Sequence, residues 1–332
     1  MNICSSVKHQ YESLKTMKQE FVVACEKAGN VDTLTNQQLE TLQRRKLALE
    51  TATTSFKEKI VVSPERAKEI MGVGSYFGPE ALAKTFGVDF DKKDISRIPW
   101  STHELKEARD RGEMLILRTD KDKDGKPLTA EAMVEHCTLL LEQTGKGKVL
   151  ASVDWYKNEP FYTKEKCSSG WALVGKEFLS KTTNQNYLQQ TDRIIQEIEI
   201  IYAKKKIPCP KHYQDAIDDF VKKRPEIEKC IKNEKWSDAS TFLAELDITT
   251  MTRQNFVEAL SDILTVKVNV PDHSILETTY VWTSSRSSSG DLVSVGDADG
   301  SGAGVNGWDA GSQGSSLGVL FVRRGPVVSR PS

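Results

Sequence analysis

The last sixty residues of the chain set the strongest constraint on the fold. Thr283–Gly318 holds 10 serines and 9 glycines in 36 positions, and no lysine follows Lys267. A serine/glycine segment of this kind would ordinarily be a flexible coil. Here, however, apolar residues punctuate it in short bursts: Tyr280-Val281-Trp282, Leu292-Val293, Val295, Val305, Trp308, and Leu317 to Val322. Bursts of that length between turn residues predict strands. Short strands cannot bury enough surface on their own. The tail is therefore expected to be a small β structure packed on something earlier in the chain.

The earlier chain reads as mostly helical. Over residues 5–60, Val7, Tyr11, Leu14, Met17, Phe21, Cys25 and Ala28 recur three or four apart, and Leu39, Leu42, Leu49, Phe56 and Ile60 form a second stripe. The spacing predicts two amphipathic helices, the first ended by Gly29 and the second capped by Thr35, folded as an antiparallel hairpin over residues 1–62. Residues 63–98 read as a helical connector. Ser63-Pro64-Glu65 opens a helix, and Gly72, Gly74 and Gly78 make a helix–turn–helix link into Glu80–Phe86. Those glycines imitate a phosphate loop, but such a loop needs a preceding strand, and the residues before it are helical in character.

From Pro99 the character turns to α+β. A helix over Ser101–Arg111 is followed by a strand at Met114–Arg118 and a helix at Leu128–Glu142 capped by Thr129. Strands are expected at Lys148–Trp155 and Trp171–Lys176. Helices follow at Asn186–Lys204, near 211–232 and 236–246, and at Thr252–Val266.

Asp120-Lys-Asp122-Lys-Asp124-Gly125, closed by Glu131, fits the twelve-residue calcium-loop pattern. The incoming MLILR segment reads as a strand rather than a helix, and Pro127 removes an N–H that such a loop uses. The expectation is a polar strand–helix turn with no calcium, and no other metal or cofactor is expected. The five histidines form no H-x-x-x-H pair, and no G-x-S-x-G elbow occurs. His136-Cys137 and Asp218-Asp219 sit in helical patterns and read as helix face. Trp155 and Trp171 read as core anchors at strand ends. The six cysteines show no CxxC or framework spacing and read as free thiols of a reducing cytosol. With 46 basic against 47 acidic residues, a general nucleic-acid binder is not expected. No apolar run spans a bilayer and the N-terminus carries no apolar signal region, so the expected location is cytoplasmic.

The tail resembles the variable proteins of diversity-generating retroelements, whose C-type lectin-like fold is related to formylglycine-generating enzymes. The residues that carry the likeness are Trp282-Thr-Ser-Ser-Arg286, Gly290-Asp-Leu-Val-Ser-Val-Gly296, Asp299, Gly302, Val305, Trp308, Gly311 and Leu317-Gly-Val-Leu-Phe-Val-Arg323. Glu69-Ile-Met-Gly72, Phe77-Gly78, Leu115-Ile-Leu-Arg118, Lys126-Pro-Leu-Thr129, Trp155-Tyr156 and Gly170-Trp-Ala-Leu-Val174 also make the upstream part similar to uncharacterised bacterial proteins that end in this way. The likeness implies a lectin-like domain over residues 99–325, with a helical insertion at about 186–266 and a variable-type region at about 280–324. The chain departs from formylglycine-generating enzymes in having no cysteine after Cys230, which removes support for that redox chemistry.

The resulting expectation is an α+β, non-enzymatic ligand-binding protein. A constant glycine and apolar scaffold would carry a diversified face formed by Ser285, Ser287, Asp297, Ala298, Ser301, Ala303, Asn306, Trp308, Asp309, Ser312, Gln313, Ser315 and Ser316. Its ligand would be an unknown protein or other macromolecule, and the N-terminal helices could associate with themselves. Serine, glycine and asparagine around a rigid aromatic is also the composition of antibody paratopes. The alternatives are a helical scaffold with a constant β cap, and an enzyme with a cleft between the helical region and the tail.

Overall fold

The computed structural model describes residues 3–28, 35–59, 62–88, 95, 97–205, 208–270 and 275–324, with the backbone alone for 3–11, 27–28, 36–37 and 50–59. Helices α1 (Ile3–Ala28) and α2 (Asn36–Lys59) pack against each other as a hairpin. Thr35 and Gln38 cap α2 reciprocally: the Thr35 N–H donates to Gln38 Oε1 and the Gln38 N–H to Thr35 Oγ1. The expected stop at Gly29, the stripe residue Ile60 and the side chain of Phe56 lie outside the described residues. None of the described side chains of α1 and α2 is buried.

Ser63 caps α3 (Pro64–Met71) by accepting the Arg66 N–H. The next segment corrects the helix–turn–helix expectation. Gly72 and Gly74, both at positive φ, turn the chain into a two-residue strand β1 (Tyr76–Phe77) before α4 (Pro79–Phe86). The spacing of the glycines left room for that strand, but two residues carry no periodicity that a sequence pattern can register.

Then come α5 (Thr102–Asp110), with a Ser101/Glu104 capping box, and β2 (Glu113–Arg118). They are followed by α6 (Ala130–Gln143), α7 (Pro160–Thr163) and β3 (Gly170–Gly175). The strand expected at Lys148–Trp155 is absent: Leu150 makes one bridge to Ala303, and residues 154–158 form a turn. Gly145 and Gly147, both at positive φ, bend the chain just before it. Helices α8 (Tyr187–Lys205), α9 (Lys211–Lys232), α10 (Trp236–Glu245), α11 (Asp247–Thr252) and α12 (Phe256–Asn269) follow. The last helix starts later than its pattern suggested because Asn255, boxed with Glu258, supplies the cap.

The tail forms β4 (Tyr280–Arg286), β5 (Leu292–Asp299), β6 (Gly302–Trp308), β7 (Leu317–Gly318) and β8 (Val322–Arg324). Two four-stranded sheets result, in the orders β1-β2-β3-β8 and β6-β5-β4-β7. The final strand thus leaves the tail's own sheet and pairs antiparallel with β3, Val174 opposite Val322. The protein is α+β, with about half of it helix.

Two cores hold these layers. In the first, α12 runs between the sheets, against β2 on one side and β4 and β5 on the other. Every residue from Phe256 to Val268 is buried, although α12 falls inside the stretch expected to be insertion. The second core packs α8–α11 against Trp282, Leu292, Leu317, Val319 and Phe321. The tail is therefore a shared wall of both cores, as its apolar bursts required.

A helix buried all round must pair its charges. Arg118 donates Nε and Nη2 to Asp262 at 3.0 and 2.5 Å, and its Nη1 lies 3.4 Å from Glu258. Arg324 of β8 pairs with the same Glu258. Lys267 Nζ donates to the Asp299 carbonyl at 2.7 Å.

Candidate functional site

The β5–β6 hairpin and the loop from Asp309 to Ser316 carry most of the expected binding residues. Asp297, Ser301, Trp308, Gln313, Ser315 and Ser316 are exposed, and Asn306, Asp309 and Ser312 are half-buried. Strand register explains the grouping. Val281, Val295 and Val305 are cross-strand partners and turn toward α12. Trp282, Ser294 and Asn306 lie in register on the opposite face, as do Tyr280, Gly296 and Gly304. At the β4 side of that face Trp282 is sealed under the helices. Toward β6 the face opens, leaving Asn306 and Trp308 beside solvent.

Close approach fixes the middle of the face. A Cβ on Gly304 would sit 2.5 Å from Tyr280 Oη, and one on Gly296 would sit 1.9 Å from the Thr279 carbonyl. Tyr280 therefore lies flat across Gly304. Its hydroxyl faces the side chains of Asn306 and Asp297, and burial, together with the Asp297 charge, raises its pKa. Asp297 takes a left-handed backbone, φ 49°, at the bulge between Gly296 and Asp299. Asp297, Tyr280 and Asn306 thus form one contiguous polar strip. Ser301 sits at the hairpin tip, bonded to Asp299 Oδ1. In the 309–316 loop the Gly311 N–H donates to Asp309 Oδ1, and a Cβ on Gly311 would sit 2.6 Å from the Trp236 ring of α10.

Four residues expected on the face are buried instead. Ser285 is inside because its hydroxyl has structural work: it accepts the Phe256 N–H at the start of α12, at 2.8 Å, and donates to Glu165. Ser287 closes the β4–β5 turn, its Oγ accepting the Asp291 N–H at 3.1 Å. Ala298 lies in the bulge, which shifts the alternation of β5 and turns its methyl group inward, whereas Ala303 shares the inward face of β6 with Val305 by ordinary alternation. There the Ala298 N–H donates to the Leu276 carbonyl and the Ala303 N–H to that of Val149.

Other groups gather at this end of the molecule that no motif marked. Glu159 accepts both the N–H and the hydroxyl of Ser288, at 2.6 and 2.7 Å. Glu165, next in the same segment, is lifted to about 7 by burial, against the Ser285 hydrogen bond that favours its charge. Trp155, expected in the core, is 47% exposed, and its indole N–H donates to the Val305 carbonyl at 3.2 Å. The signal for a surface role was present in the acidic neighbours Asp154 and Glu159, but aromatic clusters more often anchor cores.

The calcium-like segment forms a strand–helix turn. Asp122 Oδ1 accepts the N–H groups of Asp124 and Lys126, Asp120 binds Ser169 and Lys166, and Thr129 caps α6. Among the described residues no three His, Cys, Asp or Glu side chains gather as a metal site. No described helix is long and apolar enough to cross a membrane. Compared with protein-family models, with curated proteins and with solved structures, the chain finds no match.

Proposed function

We propose that this is a ligand-binding protein whose C-terminal C-type lectin-like region presents a sequence-tolerant face, the target of a diversity-generating retroelement. The observation that carries the reading is the separation of roles along Asp297–Ser316. Residues at the β5–β6 face and in the following loop reach solvent, while Val295, Val305, Leu317 and the close-packed glycines hold the backbone. A surface made this way can change side chains without changing its frame. Asp297, Ser301, Asn306, Trp308, Asp309, Ser312, Gln313, Ser315 and Ser316 form the proposed face. Ser285, Ser287, Ala298 and Ala303 belong to its support.

The ligand on this reading is a protein or other macromolecule, and the location is cytoplasmic. The half-buried Leu14, Met17, Phe21 and Leu42 of the N-terminal hairpin support association of the hairpin with a second copy.

A library randomised at the nine exposed or half-buried positions tests the tolerance directly. Most members should stay folded, and selection on immobilised proteins should recover binders. A library that is mostly unfolded would overturn the reading. Sequencing of the flanking DNA tests the retroelement itself: a near-repeat of the 3′ coding end, differing at adenines and beside a reverse-transcriptase gene, is the expected result.

A further inference from the structure

The only exposed tryptophans among the described residues, Trp155 and Trp308, at 47% and 44%, flank one short stretch of β6. Large apolar rings left in water on a folded protein mark contact surfaces when they cluster. β6 is an edge strand. Near its start the edge is covered: Ala303 exchanges backbone hydrogen bonds with Val149 and Ala151, and the Val305 carbonyl accepts the Trp155 indole N–H. By the same alternation Gly307 turns its N–H and C=O away from β5, outward along the open part of the edge. Trp155 lies on one face of this edge and Trp308 projects to the other.

A Cβ on Gly307 would already touch Asp291, 3.3 Å from its Cβ and 3.5 Å from its Oδ2, and would lie 3.5 Å from Cη2 of the Trp155 ring. The Trp155 ring and the Asp291 carboxylate thus stand together beside Gly307. The surroundings are acidic, with Asp154, Glu159 and Asp309 close in the chain to the two rings. No lysine or arginine occurs between Arg286 and Arg323. Arg286 itself is turned to Thr241 of α10. Lys157, on the turn after Trp155, is the nearest cation in sequence and is exposed. Among the described residues, no ion pair engages Asp154, Asp291 or Asp309.

We propose that this edge binds an extended segment of a partner protein, setting a lysine or arginine side chain against the Trp155 ring and the Asp291 carboxylate beside Gly307. The cation lies over the indole face, where the ring quadrupole attracts it, and ion-pairs with the carboxylate. The segment's backbone meets the outward N–H and C=O of Gly307, and Trp308 packs against its other side. The proposal rests on the reading of this region as a binding face and assigns that face the charge of its partner.

The test uses the full chain and an acetylated, amidated octapeptide of alternating arginine and serine, with a citrulline/serine peptide as its neutral isostere. Calorimetry should show the arginine peptide binding about tenfold more tightly than the citrulline peptide. Asp291→Asn and Trp308→Ala should each weaken the arginine peptide by about fivefold or more. Asp218→Asn, on the exposed side of α9, should not change it. Trp155→Ala should abolish the preference for arginine, and Trp155→Phe, which keeps the packing on Tyr156 and Phe161, should retain part of it. Equal affinity for the two peptides, no binding of either, or full affinity in Asp291→Asn would overturn the assignment. If the randomised library stays folded and yields binders in that event, only the cationic partner is wrong. A library that unfolds removes the binding face itself.

Discussion

Glu165 and Ser285, 120 residues apart, share a hydrogen bond beneath the Ser-rich turn, in a place where burial lifts the carboxyl to about 7. The serine hydroxyl also takes the first N–H of α12, so one small side chain ties the 159–165 segment, the central helix and the tail together. The consequence is a pH dependence with a definite sign. The folded protein holds this proton more tightly than the unfolded chain, whose glutamates titrate near 4.5. The stability it contributes is complete below about 4.5 and is lost as pH rises through about 7. Glu165→Gln should match the parent near pH 5 and exceed it above pH 8 by about 1–3 kcal/mol. Urea unfolding at a series of pH values measures this, and an unchanged slope between pH 5 and 8 would remove the linkage.

Arg118 gives the opposite window. Burial works against charge on Glu258, but the Arg118 and Arg324 guanidiniums outweigh it and hold the carboxyl at about 2. That contribution is present above about 4.5 and is lost as pH falls toward 2. Arg118→Met would leave Glu258 and Asp262 buried with one cation fewer. It should cost about 3–5 kcal/mol at pH 7. Adding Asp262→Asn should recover part of that loss, measurable by a double-mutant cycle.

The contrast between these two carboxylates shows where sequence patterns stop. A helix was legible at Thr252–Val266, shifted from the observed Phe256–Asn269, but the sequence could not show that it is covered on every side. That depends on β8 returning to the first sheet, a pairing of Ala172 with Arg324 across 152 positions. The tail's strands were legible because their apolar bursts are short and regularly interrupted. Their facing was legible only up to the bulge at Gly296–Asp299, beyond which the alternation of β5 shifts and Ala298 turns inward; Ala303, two residues from Val305 on the regular strand β6, was inward by plain alternation. Ser285 was misplaced for a different reason. A serine in a polar run looks exposed until the helix start and the glutamate that use its hydroxyl are known. Trp155 erred the other way, because the surface signal of its acidic neighbours Asp154 and Glu159 was outweighed by the usual role of an aromatic cluster as a core anchor.

Scaffold and face should respond differently to substitution. A Cβ on Gly318 would sit 2.4 Å from the Phe178 ring, and Phe321 is buried in the second core. Gly318→Val should cost about 1–3 kcal/mol through overpacking, and Phe321→Ala about 3–5 kcal/mol through the cavity left. Replacing Ser301, Gln313, Ser315 and Ser316 together should stay within about 1 kcal/mol. Chemical unfolding of the three variants compares them, and a surface quadruple as costly as Phe321→Ala would contradict the division of roles.

The tail should resist proteolysis despite its composition. Thr278–Arg324 is rich in serine and glycine, residues that usually mark cleavable loops. Here Val295 and Val305 lie under the first core, and Val319 and Phe321 lie under the second. The end of the segment is also locked: Arg323 pairs with Glu113 at 2.5 Å and Arg324 with Glu258. Cleavage within its strands therefore requires opening a core rather than fraying an end. Limited digestion with a nonspecific protease under native conditions should leave the segment intact while the parent fold lasts. Arg324→Ala, which frees one tie of β8 without emptying a core, should hasten cleavage within the tail severalfold, because opening of the last strand then costs less. Rapid trimming of the unaltered protein back to about residue 270 would show that the tail does not share the cores' stability.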